Sequence, residues 1–126
     1  MDVLIVEDVA QDAKLLAHLV KGLDLQVKVT HNANEAIQFI KEVPHIKVVL
    51  MNMTMPEEDG RDATRKIRQM LYNPVPVVGL SSDISEEQIE RAMQSGMNSF
   101  LPKPYTLGNL YTMLVKLGLK VQTKPS

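Results

Sequence analysis

The chain has no cysteine among its 126 residues, so neither a disulfide nor a thiolate metal site can form. Aromatic residues make up only 4%, which leaves little to stack on a flavin. No sign of charge dominates. Fourteen Lys and Arg stand against 15 Asp and Glu, a net charge of -1, so no basic field exists to attract nucleic acid or anionic lipid. Long apolar runs are also missing: none approaches the ~18 residues that a membrane-spanning helix requires. The N-terminus lacks the basic-then-apolar order of a secretory signal. These absences predict a cytoplasmic domain that contacts neither membrane nor nucleic acid directly.

What is present is ordinary for a globular domain, with 44% apolar and 23% charged residues. A chain of this size buries roughly two-thirds of its unfolded surface, enough for a core without covalent staples. Short β-type runs alternate with amphipathic helical stretches five times. The predicted strands are 3–6, 26–30, 47–51, 75–79 and 99–101. Three are apolar almost throughout, as strands covered on both faces are. Gln26, Lys28 and Thr30 make the second strand more polar and place it at an edge.

The stretches between have helical spacing. Ala13, Leu16, Leu19, Val20 and Leu23 share one face before Gly22 and Asp24 break the first helix. Ala33, Ala36, Ile37 and Ile40 share the next, with Asn32 or Asn34 as N-cap and Pro44 as the stop. Ala63, Ile67, Met70 and Leu71 mark a third, ended by Asn73-Pro74. Ser85 to Gln88 reads as a capping box opening a fourth, which carries Ile89, Ala92 and Met93. Leu107, Leu110, Tyr111, Leu114 and Leu117 mark the fifth. Residues 1–120 then form one domain, and 121–126 read as a polar tail.

Five βα units predict a single-domain α/β fold, a doubly wound parallel (βα)5 sheet of flavodoxin-like order 2-1-3-4-5. In that order ligands bind beyond the carboxyl ends of the first and third strands. Glu7-Asp8 and Asn52 fall there, while Ser81 and Lys103 end the fourth and fifth strands. Each alone reads as a loop, turn or surface residue. Together they set two carboxylates, an amide, a hydroxyl and an ammonium at one sheet edge. That set suits phosphoryl transfer: carboxylates for Mg²⁺, and a lysine and a hydroxyl for the charge on the transferred group. A carboxylate nucleophile would complete it by forming an acyl phosphate.

The run Val3-Leu4-Ile5-Val6-Glu7-Asp8, the segment Leu50 to Pro56 with Asp59-Gly60, the segment Pro76 to Ser81, and Lys103-Pro104 together resemble receiver domains of two-component response regulators. The likeness runs over residues 2–118. It implies that position 52 is the phosphoacceptor, an aspartate in that family and Asn52 here. It further implies Asp8 as the main Mg²⁺ carboxylate, with Glu7 acting through a metal-bound water and Thr54 through its backbone carbonyl. Lys103, before a cis Pro104 peptide, would contact the phosphoryl group, and Ser81 and Phe100 would be switch residues. Partners implied are a sensor histidine kinase or histidine phosphotransfer protein, and a downstream protein target on the face formed by 85–118. No output domain is expected, whether the receiver is free-standing or cut from a larger regulator.

Asn52 departs from that pattern. Its amide nitrogen is delocalised and its oxygen carries no full charge, so ordinary aspartyl phosphorylation is blocked. The oxygen could still ligate a cation, with Mg²⁺ binding weakened by the lost charge. Replacing Asn52 by Asp should destabilise the metal-free fold, because three close carboxylates repel. The chain is expected to be a non-enzymatic signalling module, either a natural pseudo-receiver or an engineered inactive variant. The alternatives are a phosphorylation-independent interaction module and a flavodoxin-like or phosphatase-type enzyme. For the first enzyme the acidic loop after the first strand would repel a flavin phosphate; for the second the nucleophilic acid is missing.

Overall fold

The computed structural model describes residues 1–43, 45–55, 58–71 and 73–121. The stop assigned to Pro44, the Pro56 of the third-strand motif and residues 122–126 of the tail lie outside them. Val3–Val6 (β1) is buried at every residue and sits between Val27–Thr30 (β2) and Val48–Asn52 (β3). Val77–Ser81 (β4) and Ser99–Pro102 (β5) extend the sheet beyond β3. The order is β2-β1-β3-β4-β5 with every pair parallel, as predicted, and the more polar second strand lies at an edge.

Several strand boundaries differ from expectation by one or two residues, and two of the differences have a definite reason. β4 begins two residues late because the backbone of Val75 is held elsewhere. Its N–H donates to the Asn73 side chain, and its carbonyl accepts from Arg68. β3 runs one residue further, to Asn52, because that residue still pairs with Leu80 across the ladder.

The helices are Ala10–Gly22 (α1), Ala33–Glu42 (α2), Gly60–Gln69 (α3), Glu86–Gln94 (α4) and Leu107–Lys116 (α5). Asn32 caps α2 by accepting from the Glu35 N–H, which decides between the two candidate caps. Asp24, past the end of α1, takes a positive φ of 61°, a conformation Asp tolerates better than most residues. The capping box of α4 is only half made. Ser85 accepts from the Gln88 N–H, but the Gln88 side chain turns to Arg61 of α3 instead of returning.

Side chains alternate along each strand between the two faces. Leu4, Val6, Val49, Met51 and Val77 face α2, α3 and α4, whereas Val3, Ile5, Val48, Leu50, Val78 and Leu80 face α1 and α5. Two residues assigned to apolar helix faces are instead exposed: Met70 by 69% and Met93 by 40%. Met70, the C-cap of α3, still has helical dihedrals and bonds back to the Lys66 carbonyl, so its exposure reflects what packs beside it and not its backbone. Helix α4 buries only Ala92, and Met97 beyond its end fills the adjoining core position. Val121, assigned to the tail, packs partly buried against the α1/α5 core.

Candidate functional site

Parallel strands of similar length end along one sheet edge. The β1–β3 register pairs Val6 with Met51, so Glu7 follows on one strand as Asn52 follows on the other. Helix α3 comes close behind. The Gly60 N–H donates to the Met53 carbonyl, and any Cβ at Gly60 would run into the Asn52 backbone oxygen. Only glycine lets the helix start there.

Glu7 is fully buried and Asn52 is 4% exposed. The Asn52 Nδ2 donates to Glu7 Oε2 at 2.5 Å, to Asp8 Oδ1 at 3.0 Å and to the Thr54 carbonyl at 3.0 Å. Its Oδ1 accepts, at 3.4 Å, from the Thr54 N–H. The Lys103 ammonium approaches Glu7 Oε1 at 3.1 Å and Asp12 Oδ2 at 3.5 Å. Glu7 therefore bridges an amide on one side and a cation on the other. Burial raises its pKa above the ordinary carboxylate value; Lys103 opposes that shift and Asp8 adds to it.

Of the residues singled out in the sequence, Glu7, Asp8, Asn52, Thr54 and Lys103 form one contact network. The side chains of Ser81 and Phe100 stand outside it. The Ser81 hydroxyl accepts from the Asp83 N–H at 3.0 Å, and its carbonyl accepts from the Lys103 N–H at 2.9 Å. Phe100 is half-buried against the α2–α4 core, across from Gly79 in the ladder. The Lys103-Pro104 peptide is cis.

Sequence reasoning missed two members. Asp12 lies in the first turn of α1, four residues after Asp8, and extending the first helix back to residue 10 would have turned it toward the site. Tyr105 is buried, and its hydroxyl has no hydrogen-bond partner among the described residues. Burial, with Glu7 and Asp12 adding, raises its pKa. No spacing in the sequence signals the burial of Tyr105.

A cleft of about 600 Å³ opens beside Asp8, walled by His31 to Asn34 on one side and by Met55 and the start of α3 on the other. Three of its acids are already paired, Asp59 with Arg61 and Glu58 with Lys66, both at 2.7 Å, and Asp62 with Arg65 at 2.8 Å. Glu7 Oε2, Asp8 Oδ1 and the Thr54 carbonyl oxygen surround a single point. Hard oxygen donors of this kind suit Mg²⁺. The donor type fits that ion, but the charge is low: among the described residues no group of three His, Cys, Asp or Glu could hold a metal.

The model of the response regulator receiver domain family matches residues 3–115. The chain is 35% identical over 107 residues to the Escherichia coli sensor histidine kinase RcsC, covering 85% of this chain and 11% of that protein. It is 29% identical over 120 residues to Arabidopsis thaliana two-component response regulator 24, covering 95% and 86% respectively. The chain thus spans about a tenth of the kinase it resembles. Among solved structures, the Vibrio cholerae chemotaxis protein CheY4 superposes with a TM-score of 0.86 at 20% identity, over 92% of this chain and 97% of that one. The co-crystal structure of the Saccharomyces cerevisiae phosphotransfer protein Ypd1 with the receiver domain of Ssk1 matches with a TM-score of 0.86 at 26% identity, over 94% and 88%.

Proposed function

Because the chain belongs to the response regulator receiver domain family of two-component signalling, we propose that it is a receiver whose phosphoacceptor position is held by Asn52, which blocks aspartyl phosphorylation. The observation that carries this reading is the position of Asn52. It ends the central strand within hydrogen-bond distance of Glu7, Asp8 and Thr54, with Lys103 on the other oxygen of Glu7. An aspartate there would present a carboxylate oxygen to an incoming phosphorus, and the bond from phosphorus to the donor would break as the acyl phosphate formed. The Asn52 oxygen carries no full charge and cannot attack in that way.

Glu7, Asp8 and Thr54 would hold Mg²⁺, with the Asn52 oxygen as a further ligand, and the ion would supply positive charge to a transferred phosphoryl group. Lys103 supplies charge of its own, already directed at the site by Glu7 and Asp12. Ser81, whose hydroxyl now holds its own loop, and Phe100 are the switch residues of this reading. The upstream partner is a sensor histidine kinase or a phosphotransfer protein, in keeping with the Ypd1–Ssk1 neighbour. The downstream partner binds the face of 85–118, and the setting is the cytoplasm. Among the described residues no helix is long and apolar enough to cross a membrane.

A second reading is a phosphorylation-independent interaction module, favoured by the hydrogen bonds through which the Asn52 amide itself engages Glu7, Asp8 and Thr54. The test incubates the protein and its Asn52→Asp variant with Mg²⁺ and a small acyl-phosphate donor, then reads intact mass. The aspartate variant is expected to gain one base-labile phosphoryl group and the parent none. A phosphorylated parent, or an unmodified variant, overturns the reading.

A further inference from the structure

The Asn52 side-chain nitrogen has two hydrogens but three acceptors within hydrogen-bond distance, two of them carboxylate oxygens. That surrounding is what a small cation attracts. The placement of nitrogen and oxygen within the amide follows from its neighbours. Turned over, Oδ1 would face three oxygens and the NH2 would face the Thr54 N–H, with donor against donor.

Resting on the receiver-site reading above, we propose that the Asn52 amide is the resident occupant of this oxygen nest and must turn over before a divalent cation can enter. The residue thereby gates its own cation site. The NH2 and a cation compete for the same three oxygens and cannot share them. Rotation about the last side-chain bond turns the NH2 away and brings Oδ1 round to face the three oxygens, as a fourth ligand to a cation held between them. On the other side, rotation gives up the long 3.4 Å bond from the Thr54 N–H and sets the NH2 against that donor, a cost the bound cation has to offset. One torsion thus converts a self-satisfied site into a cation-competent one. Lys103 need not move, because it binds the opposite oxygen of Glu7.

The closed orientation satisfies two carboxylates that would otherwise repel each other, so it dominates without a cation. Apparent affinity falls by the fraction of molecules in the open orientation. A consequence separates this gate from a plain loss of charge. Deleting the amide should tighten cation binding even though it removes a candidate ligand, because the competitor leaves with it.

Mg²⁺ is titrated calorimetrically into the parent, Asn52→Ala, Asn52→Ser and Asn52→Asp proteins. In ¹⁵N-labelled parent the Asn52 side-chain NH2 signals are followed over the same titration. The alanine and serine variants are expected to bind Mg²⁺ about tenfold more tightly than the parent, the gain given by a competent fraction near one in ten. The parent's NH2 signals should leave their hydrogen-bonded positions in step with occupancy. Alanine and serine variants that bind no better than the parent, while Asn52→Asp binds more tightly, overturn the gate and leave the receiver reading standing. So do NH2 signals that stay unmoved at saturating Mg²⁺, a result that needs no variant to fold. If no protein of the four binds Mg²⁺, the receiver-site reading itself fails and takes the gate with it.

Discussion

At Asn52 a single amide holds apart two acids that lack room to separate. Glu7 is fully buried and cannot retreat into water, while Asp8, its chain neighbour, is half-buried beside the cleft. Their compensation comes from the Asn52 NH2 and the Lys103 ammonium. Exchanging the amide for a carboxylate removes hydrogen bonds to charged acceptors and adds a third negative charge at contact distance. The Asn52→Asp protein in chelator is therefore expected to be less stable than the parent by about 2 kcal/mol, within the range for disrupting a buried polar network. Urea unfolding with and without Mg²⁺ checks it, and the deficit should shrink when the ion is present. An equal or higher midpoint in chelator would show that the acids are not the strained element.

At the scale of elements, two polar devices set helix α3 against the sheet. Asp59 caps its N-terminus by accepting from the Arg61 N–H at 2.8 Å, and it also binds the Arg61 guanidinium at 3.0 and 2.7 Å. Burial alone would raise the Asp59 pKa, but the bonds and charge of Arg61 outweigh it and hold the carboxyl below its ordinary 3.8. The fold thus favours the ionised form. Its contribution is full above about 3.8 and is lost as pH falls through the lower folded value. Asn can still cap the helix, so Asp59→Asn should cost about 1 kcal/mol at neutral pH through the lost charge. The gap between parent and variant should close as pH drops below the unfolded carboxylate value, read from thermal unfolding across an acid series.

At the other end of α3, Arg68 donates to the carbonyls of Gly96, Asn73 and Val75 and to the Asn98 side chain. These bonds tie the loop before β4 to the loop before β5, with neutral acceptors throughout. Burial disfavours the guanidinium charge, and the planar fork of donors offsets that cost. Arg68→Ala should lose about 2–3 kcal/mol, because several half-buried carbonyls lose their donor. Arg68→Lys should recover little of it, since an ammonium cannot span the same set. Chemical denaturation of both variants reads this directly, and a full rescue by lysine would reduce the clamp to simple charge.

Over the whole molecule, one five-stranded sheet separates two apolar layers. Ile67 is fully buried on the α2–α4 side and Leu114 on the α1/α5 side. Neither layer can persist without the strands that both share, so the protein should unfold in one step despite its two cores. Ile67→Val is expected to cost about 1 kcal/mol and Leu114→Ala about 2–5 kcal/mol. With the sheet between them the two losses should add to within about 0.5 kcal/mol in the double variant. Two resolved transitions, or a strongly non-additive pair, would mean that the layers fold with some independence.

The linear order of residues determined the architecture and the neighbourhood of the site. Apolar runs two-sided enough for a parallel sheet, helical spacing between them, and acids placed just past strand ends are local patterns, each written within a few residues. They were enough to bring Glu7, Asp8 and Asn52 to one edge, since parallel strands finish together. Tertiary structure decided what those side chains do to one another. Lys103 reaches Asp12 across 91 positions of sequence, and the hydroxyl of Tyr105, without a partner among the described residues, is buried where Glu7 and Asp12 act on it. The exposure of Met70 and Met93, and the turn of Gln88 away from its own helix to Arg61, likewise depend on which neighbour happens to pack alongside. The orientation of the Asn52 amide is of the same kind. A sequence states that an amide is present, but only the oxygens converging from β1 and from the turn after β3 decide which of its two ends faces the nest.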